Sequence, residues 1–290
     1  MTRVCEIALR GAGGEPISFA RTVYSHGCAH LAPASVSSPP LRYRRTFRID
    51  GRIVDVTMRE RSRKLLVETD APLRRRQIGK LEAAAARMFR FDADLSPFYA
   101  LVETDDTLAW AASGAGRILA SPSVFEDVIK TICTTNCAWS ATIRMTQALA
   151  ALGEGAFPEP GRLAATDERW FGEVARMGYR GAYVLKIARA VANGELDLER
   201  LRDARRRCDA EVEESLLALP GIGPYGAAHV MQLLGRHRAL VLDSWTRPKY
   251  LVVSGRKRAA DSTIRRSFAR YGAYAGLAFW LYLTRDWVDE

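Results

Sequence analysis

Apolar and polar positions alternate along residues 43–58 across a central Asp50-Gly51. A period of two belongs to a half-buried strand, and Asp-Gly between two such runs signals a tight hairpin. Residues 1–78 therefore read as β-rich, with loops at 11–14 and 35–40, where glycine, serine and proline gather. From 77 to 91 the pattern becomes an alanine-rich helix, which sets a domain boundary near residue 78. Ser123-Val-Phe-Glu126 then reads as a capping box opening a helix, with Val124, Phe125, Val128, Ile129, Ile132 and Cys133 on one face. Further helices are predicted over 139–152, ended by Gly153; from an N-cap at Thr166 to Gly178; over 182–192, closed by Asn193-Gly194; and after a cap at Asp197. The fold class is α+β: a small antiparallel β domain over 1–78, then an all-helical domain over 79–290 with short connections.

Composition narrows the partner. Of the 290 residues 48% are hydrophobic, which excludes disorder throughout, and no apolar run reaches the 18 or more residues of a membrane span. The start of the chain lacks a charged-then-apolar leader, which points to an intracellular protein, nucleoid-associated in a bacterial cytoplasm or nuclear. The net charge of +10 is segregated: residues 1–79 carry 15 Lys+Arg against 7 Asp+Glu, and residues 236–270 carry 10 against 2. Two basic segments in an otherwise acidic chain suit a polyanion, nucleic acid first, or are two solvated basic surfaces. Of the 43 cations 37 are arginine, which suits phosphate forks but also follows from coding bias; only six lysines remain.

The five cysteines, at 5, 28, 133, 137 and 208, make no disulfide framework and no cysteine-cluster spacing. Cys133 and Cys137 share a helical face if the helix continues that far, and read as reduced thiols. On a strand, His26, Cys28 and His30 would share one face. With no fourth ligand in view, no metal is expected there.

The segment 211–250 is the most informative. A helix ends at Leu219-Pro220, followed by Gly221-Ile222-Gly223-Pro224-Tyr225-Gly226 and a second helix to about 234. The glycines remove side chains, so that backbone N–H groups at the second helix's start can meet a phosphate, and Pro224 suits its first turn. This is a helix–hairpin–helix element, a sequence-independent grip on a nucleic-acid backbone. Twenty residues past Gly223, Asp243 follows four consecutive apolar residues. A carboxylate there either caps the next helix, alone or with Ser244, or has a chemical role.

Leu-Pro-Gly-Ile-Gly together with Asp243 resembles the helix–hairpin–helix DNA glycosylase superfamily, in the branch shared by 3-methyladenine DNA glycosylase II and 8-oxoguanine DNA glycosylase. Arg87-Met-Phe-Arg-Phe-Asp-Ala-Asp-Leu95, Ile132-Cys-Thr-Thr-Asn136, Gly178-Tyr-Arg-Gly-Ala-Tyr183 and Tyr271-Gly-Ala-Tyr-Ala-Gly276 are further matches in the same order. The resemblance implies a monomeric repair enzyme on damaged double-stranded DNA, which flips an alkylated or oxidised purine out of the duplex and hydrolyses its N-glycosidic bond. It implies Asp243 as the catalytic carboxylate and Gly221, Ile222, Gly223, Tyr225 and Gly226 as the backbone-binding hairpin. Asn136, Tyr179 and Arg180 would fill the vacated stack or contact the opposite strand. The alternative for these is that Asn136 caps a helix end and Tyr179 lies in the core. Phe125, Trp139, Tyr183, Tyr225 and Trp245 are candidates for the base pocket, two or three of them at most, the others being core.

Bifunctional relatives carry a lysine where this chain has Tyr225, and a phenol cannot form their Schiff base. A monofunctional enzyme using water is therefore expected, with no cofactor beyond a structural monovalent cation at the hairpin. Tyr225 would either wall the pocket or pack against the next helix. Lys249 is the lysine nearest Asp243 and the alternative nucleophile; a DNA-binding protein without catalysis is the other alternative. The relatives' second asparagine is Cys137 here, which puts readout of the orphan base in question.

Overall fold

The hairpin sets the N-terminal sheet. The computed structural model describes residues 2–203 and 206–288. In it β1 (Thr2–Ala8), β2 (Ala34–Ser37), β3 (Arg42–Ile49), β4 (Arg52–Arg61) and β5 (Lys64–Thr69) form one antiparallel sheet in the order β1-β5-β4-β3-β2. Ile49 faces Arg52 across the two-residue turn, in which Asp50 and Gly51 both take positive φ (49° and 77°), the twist a tight hairpin needs. One expectation is corrected here. Residues 34–37 are an edge strand and not loop, because Ser35 and Ser37 face outward while Ala34 turns into the core and the segment pairs with β3.

The helix Arg75–Met88 lays Leu81, Ala85 and Met88 on the inner face of the sheet, beside Phe89. The expected boundary at 78 thus falls in the first turn of a helix that shares the sheet's core. Period two also turns Arg45 inward between Tyr43 and Phe47. Its guanidinium meets Glu126 at 2.5 Å, and Glu126 in turn meets Lys130 at 2.8 Å. Arg87 reaches Asp127 at 2.8 Å nearby. Ser123 caps the helix Val124–Thr134, accepting from the Glu126 N–H, but the other half of the expected capping box does not form, because the Glu126 carboxylate is taken by Arg45 and Lys130. Its predicted apolar face is buried, and so are Glu126, Asp127 and Lys130, through which the helix is welded to the sheet.

Two cores build the helical part. Around the helix Val124–Thr134 gather Trp139–Leu152, Arg180–Ala192 and Asp209–Leu217; around the helix Ala275–Thr284 gather Ser96–Val102, Thr246–Ser254 and Asp261–Phe268. The helix Pro224–Leu233 serves both, giving Ala227, Val230 and Met231 to the first core and Ala228 and Leu233 to the second. The glycine turn therefore opens at the seam between the two halves. The helix predicted from Thr166 to Gly178 is instead two short ones, Pro160–Ala164 and Glu168–Glu173. Thr166 donates back to the Arg162 carbonyl, and Asp167 supplies the cap by accepting from the Arg169 N–H at 2.7 Å. Asp197 does cap the short 3-10 helix Leu198–Arg202.

The first and last parts of the chain are stitched together. Trp280 Nε1 donates to the Ser25 carbonyl at 2.7 Å, and Arg21 donates to the carbonyls of Arg285 and Val288. Among the described residues no helix is long and apolar enough to cross a membrane.

Candidate active site and nucleic-acid interface

Each hairpin glycine has its own reason. Gly221 has φ 83°, and an added Cβ would stand 2.6 Å from the Tyr183 ring. Gly223, at the N-cap of Pro224–Leu233, has open space where its side chain would be, and no side chain caps the helix. The first N–H groups of that ten-residue helix thus face outward unscreened, at the positive end of its dipole. Ile222 is buried and anchors the turn.

Asp243 is held from both sides. Upstream, the N–H of Gly276 donates to the His237 carbonyl at 2.8 Å, and Leu240, Val241 and Leu242 are buried. Downstream, Asp243 Oδ1 accepts from the N–H groups of Trp245 (2.8 Å) and Thr246 (2.6 Å), while the Asp243 N–H donates to Thr246 Oγ1 at 2.8 Å. The capping role therefore exists, and it uses one oxygen. Oδ2 has no hydrogen-bond partner among the described residues, so a chemical role is compatible with the cap. A Cβ at Gly276 would collide with the Ala239 carbonyl, on the segment that delivers Asp243. Gly276→Ala is expected to destabilise the chain by about 1–3 kcal/mol, as overpacking does. An unchanged urea midpoint would show that this close approach is not needed.

Tyr225 stacks on His229, one turn along the same helix, with centroids 6.1 Å apart and planes 13° apart. Burial pushes its phenol up to about 12; the Thr134 hydroxyl opposes this, and the charges of Asp243, Cys28 and Cys137 add to it. Tyr225 is thus packed and its titration feels the Asp243 charge. The His26–His30 segment is not a strand: Gly27–His30 form a 3-10 turn capped by His26. His30 leaves the group and stacks near Tyr24, and His229 takes its place beside His26 and Cys28. Burial opposes a charge on Cys28, but His26 and His229 outweigh it and bring the thiol down to about 5. In the same turn, a Cβ on Gly27 would lie 2.9 Å from the Trp139 ring.

Asn136, Tyr179 and Tyr183 form a continuous rim beside the hairpin. Asn136 is exposed with φ 47°, its Nδ2 stands 3.4 Å from Tyr179 OH, Tyr179 meets Tyr183 edge to face at 5.7 Å, and Tyr183 covers Gly221. Tyr179 is 52% exposed, so it is not core, and the cap of the preceding helix is Thr135, not Asn136.

Two expectations are corrected. Arg180 does not reach outward: it is buried and donates to the carbonyls of Thr135, Asn136 and Met177, bracing the Asn136 loop. Phe125 packs in the first core against Phe157 and lines a cavity of about 830 Å³ that none of the other pocket candidates borders. Trp245 rests on Trp280 and Trp287. Lys249 is paired with Asp286 at 2.8 Å. Cys133 and Cys137 are free thiols, Cys137 Sγ donating to the Cys133 carbonyl.

No protein-family model matches the chain. It is similar to the DNA-3-methyladenine glycosylase of Bacillus subtilis strain 168, 26% identical over 156 residues, which take in 49% of this chain and 50% of that protein. The chain thus matches about half the length of this curated relative. The 3-methyladenine DNA glycosylase of Archaeoglobus fulgidus superposes with a TM-score of 0.72 at 20% identity, over 98% of this chain and 99% of that one. The chain thus has the fold of that glycosylase. The 8-oxoguanine glycosylase/lyase of Clostridium acetobutylicum, in its apo form, shares it with a TM-score of 0.69 at 18% identity, over 93% and 94% of the two chains. Coverage of this extent takes in the N-terminal sheet as well as the helices.

Proposed function

We propose that the protein is a DNA glycosylase that turns a damaged purine out of the duplex and hydrolyses its N-glycosidic bond. The observation that carries this is Asp243: one oxygen is fixed by two backbone N–H groups, the other is unengaged, and it heads the helix that follows the hairpin seam. As the glycosidic bond lengthens, the sugar develops oxocarbenium character, which a fixed carboxylate stabilises. In this reading Tyr225 and Trp139 would stack on the extruded base, and Asn136 with Tyr179 would occupy the gap it leaves. The uncapped start of Pro224–Leu233 would take a backbone phosphate.

Water is the nucleophile in this reading. Tyr225 cannot form an imine, and Lys249 is held by Asp286. The decisive experiment incubates the chain with duplexes carrying methylated, deaminated or oxidised bases, one lesion at a time, and cleaves with alkali. Alkali-labile sites at one class of purine support the reading; a gel shift without such sites sinks it. Borohydride trapping of a protein–DNA adduct would show a lyase.

The cationic block 236–270 is partly spent on internal pairs: Arg236 with Asp209, Arg247 with Asp261, Arg270 with Asp105. Arg256, Lys257 and Arg258 are exposed and make no ion pair among the described residues. If all three meet phosphates, neutralising them should reduce the slope of log K against log salt by about 2.7. A slope equal to the parent's would place the DNA elsewhere.

A further inference from the structure

His26, Cys28 and His229 come from segments some two hundred residues apart in sequence, and their donor atoms all lie within 4.8 Å of one another. The proposed glycosylase chemistry uses none of them. We propose that these three side chains bind one divalent ion of the zinc class, leaving a fourth position for water, and that the ion clips the 26–30 turn to the hairpin helix.

Three features support the site. First, the donor set is two imidazoles and a thiolate, which favours zinc and similar borderline metals over magnesium or calcium. Zinc stands about 2.0–2.1 Å from nitrogen and about 2.3 Å from sulfur, so its ligand atoms lie about 3.3–3.7 Å apart. The donor atoms therefore need to close by little more than about 1 Å.

Second, the outer contacts already orient the ligands. His26 Nε2 is 2.6 Å from the Leu119 carbonyl, which can only accept, so Nε2 carries the proton and Nδ1 offers its lone pair. A backbone carbonyl on the far nitrogen is the usual support for a metal-bound histidine. The Cys28 N–H reaches Nδ1 at 3.2 Å, a long bond that a metal would replace. His229 is fixed by its stack on Tyr225 and by the edge of His26, 5.7 Å away at 86°.

Third, the site has a way in. His26 and His229 are buried, but Cys28 is partly exposed and the adjacent Gly27 is exposed. The clip would tie the turn under Trp139 to the helix carrying Tyr225, two of the walls assigned above to the extruded base.

The test needs no DNA, so its outcome is separate from that of the glycosylase assay. The full chain is stripped with a chelator and titrated with zinc against a chromophoric competitor, and separately with cobalt. One equivalent of each is expected, with a thiolate-to-cobalt charge-transfer band in the near ultraviolet and a zinc-dependent rise in melting temperature. Cys28→Ser should abolish the band. Cys28→Ser and His229→Ala should each weaken zinc at least as much as the about 10–100-fold loss of an outer-shell partner. His30→Ala should bind as the parent does. The proposal fails if the parent shows no charge-transfer band, whatever the variants do. It also fails if Cys28→Ser keeps the parent's affinity, which would assign the metal to another thiol such as the exposed Cys208.

Discussion

Asp243→Asn is expected to bind lesion-bearing duplex as tightly as the parent and to excise the base at least about 10²-fold more slowly, about 2.7 kcal/mol of transition-state stabilisation. The substitution separates the two tasks of the side chain. Asn Oδ1 can still accept from the N–H groups of Trp245 and Thr246, so the cap and the helix Thr246–Ser254 persist. What changes is the second oxygen, which becomes an amide nitrogen without charge. Single-turnover excision beside a binding isotherm and a melting curve checks this. Full excision by the variant would remove Asp243 from the chemistry; a collapsed melting temperature would mean that its main work is structural.

Glu126→Gln should be the most damaging single change to stability, at about 3–5 kcal/mol. Glu126 is almost fully buried between Arg45 and Lys130, and neutralising it leaves two cations without their counter-charge in the interior. The same geometry predicts an acid transition. Burial alone would raise the Glu126 carboxyl, but Arg45 and Lys130 outweigh it and hold it down at about 2, against an ordinary 4.5. Its contribution is therefore complete above about pH 4.5 and is lost as the pH falls toward 2. Urea midpoints across that window should drop more steeply for the parent than for Glu126→Gln. Equal midpoints at pH 7 would show that the triad contributes nothing.

What could be read in the chain beforehand was what local chemistry dictates. Asp50-Gly51, the caps at Ser123 and Asp197, the glycine turn and the position of Asp243 depend on neighbours a few residues away, and each formed as expected. The misjudged residues have partners far off in sequence. Nothing near Arg45 in sequence shows what neutralises it at its inward position: Glu126 lies 81 residues on. Arg180 reads as an exposed cation until the carbonyls of Thr135 and Asn136 enclose it. Phe125 lies on the predicted apolar face, but the spacing cannot say whether that face looks into a core or a pocket. His26 and Cys28 stand out in the sequence, but the segment is a 3-10 turn and not a strand, and the third member is His229 and not His30. The signal that could have found His229 is its place one turn after Tyr225 on the hairpin helix.

The stitching of Ser25 and Arg21 to Trp280, Arg285 and Val288 has a consequence for synthesis. Ser25 and Trp280 are 255 residues apart. At about 5–20 residues per second a ribosome needs about 13–50 s between them. Throughout that interval the Ser25 carbonyl waits for the Trp280 indole that donates to it, although β1–β5 can already pair. Completion of the first part of the molecule waits for the last helix to leave the exit tunnel.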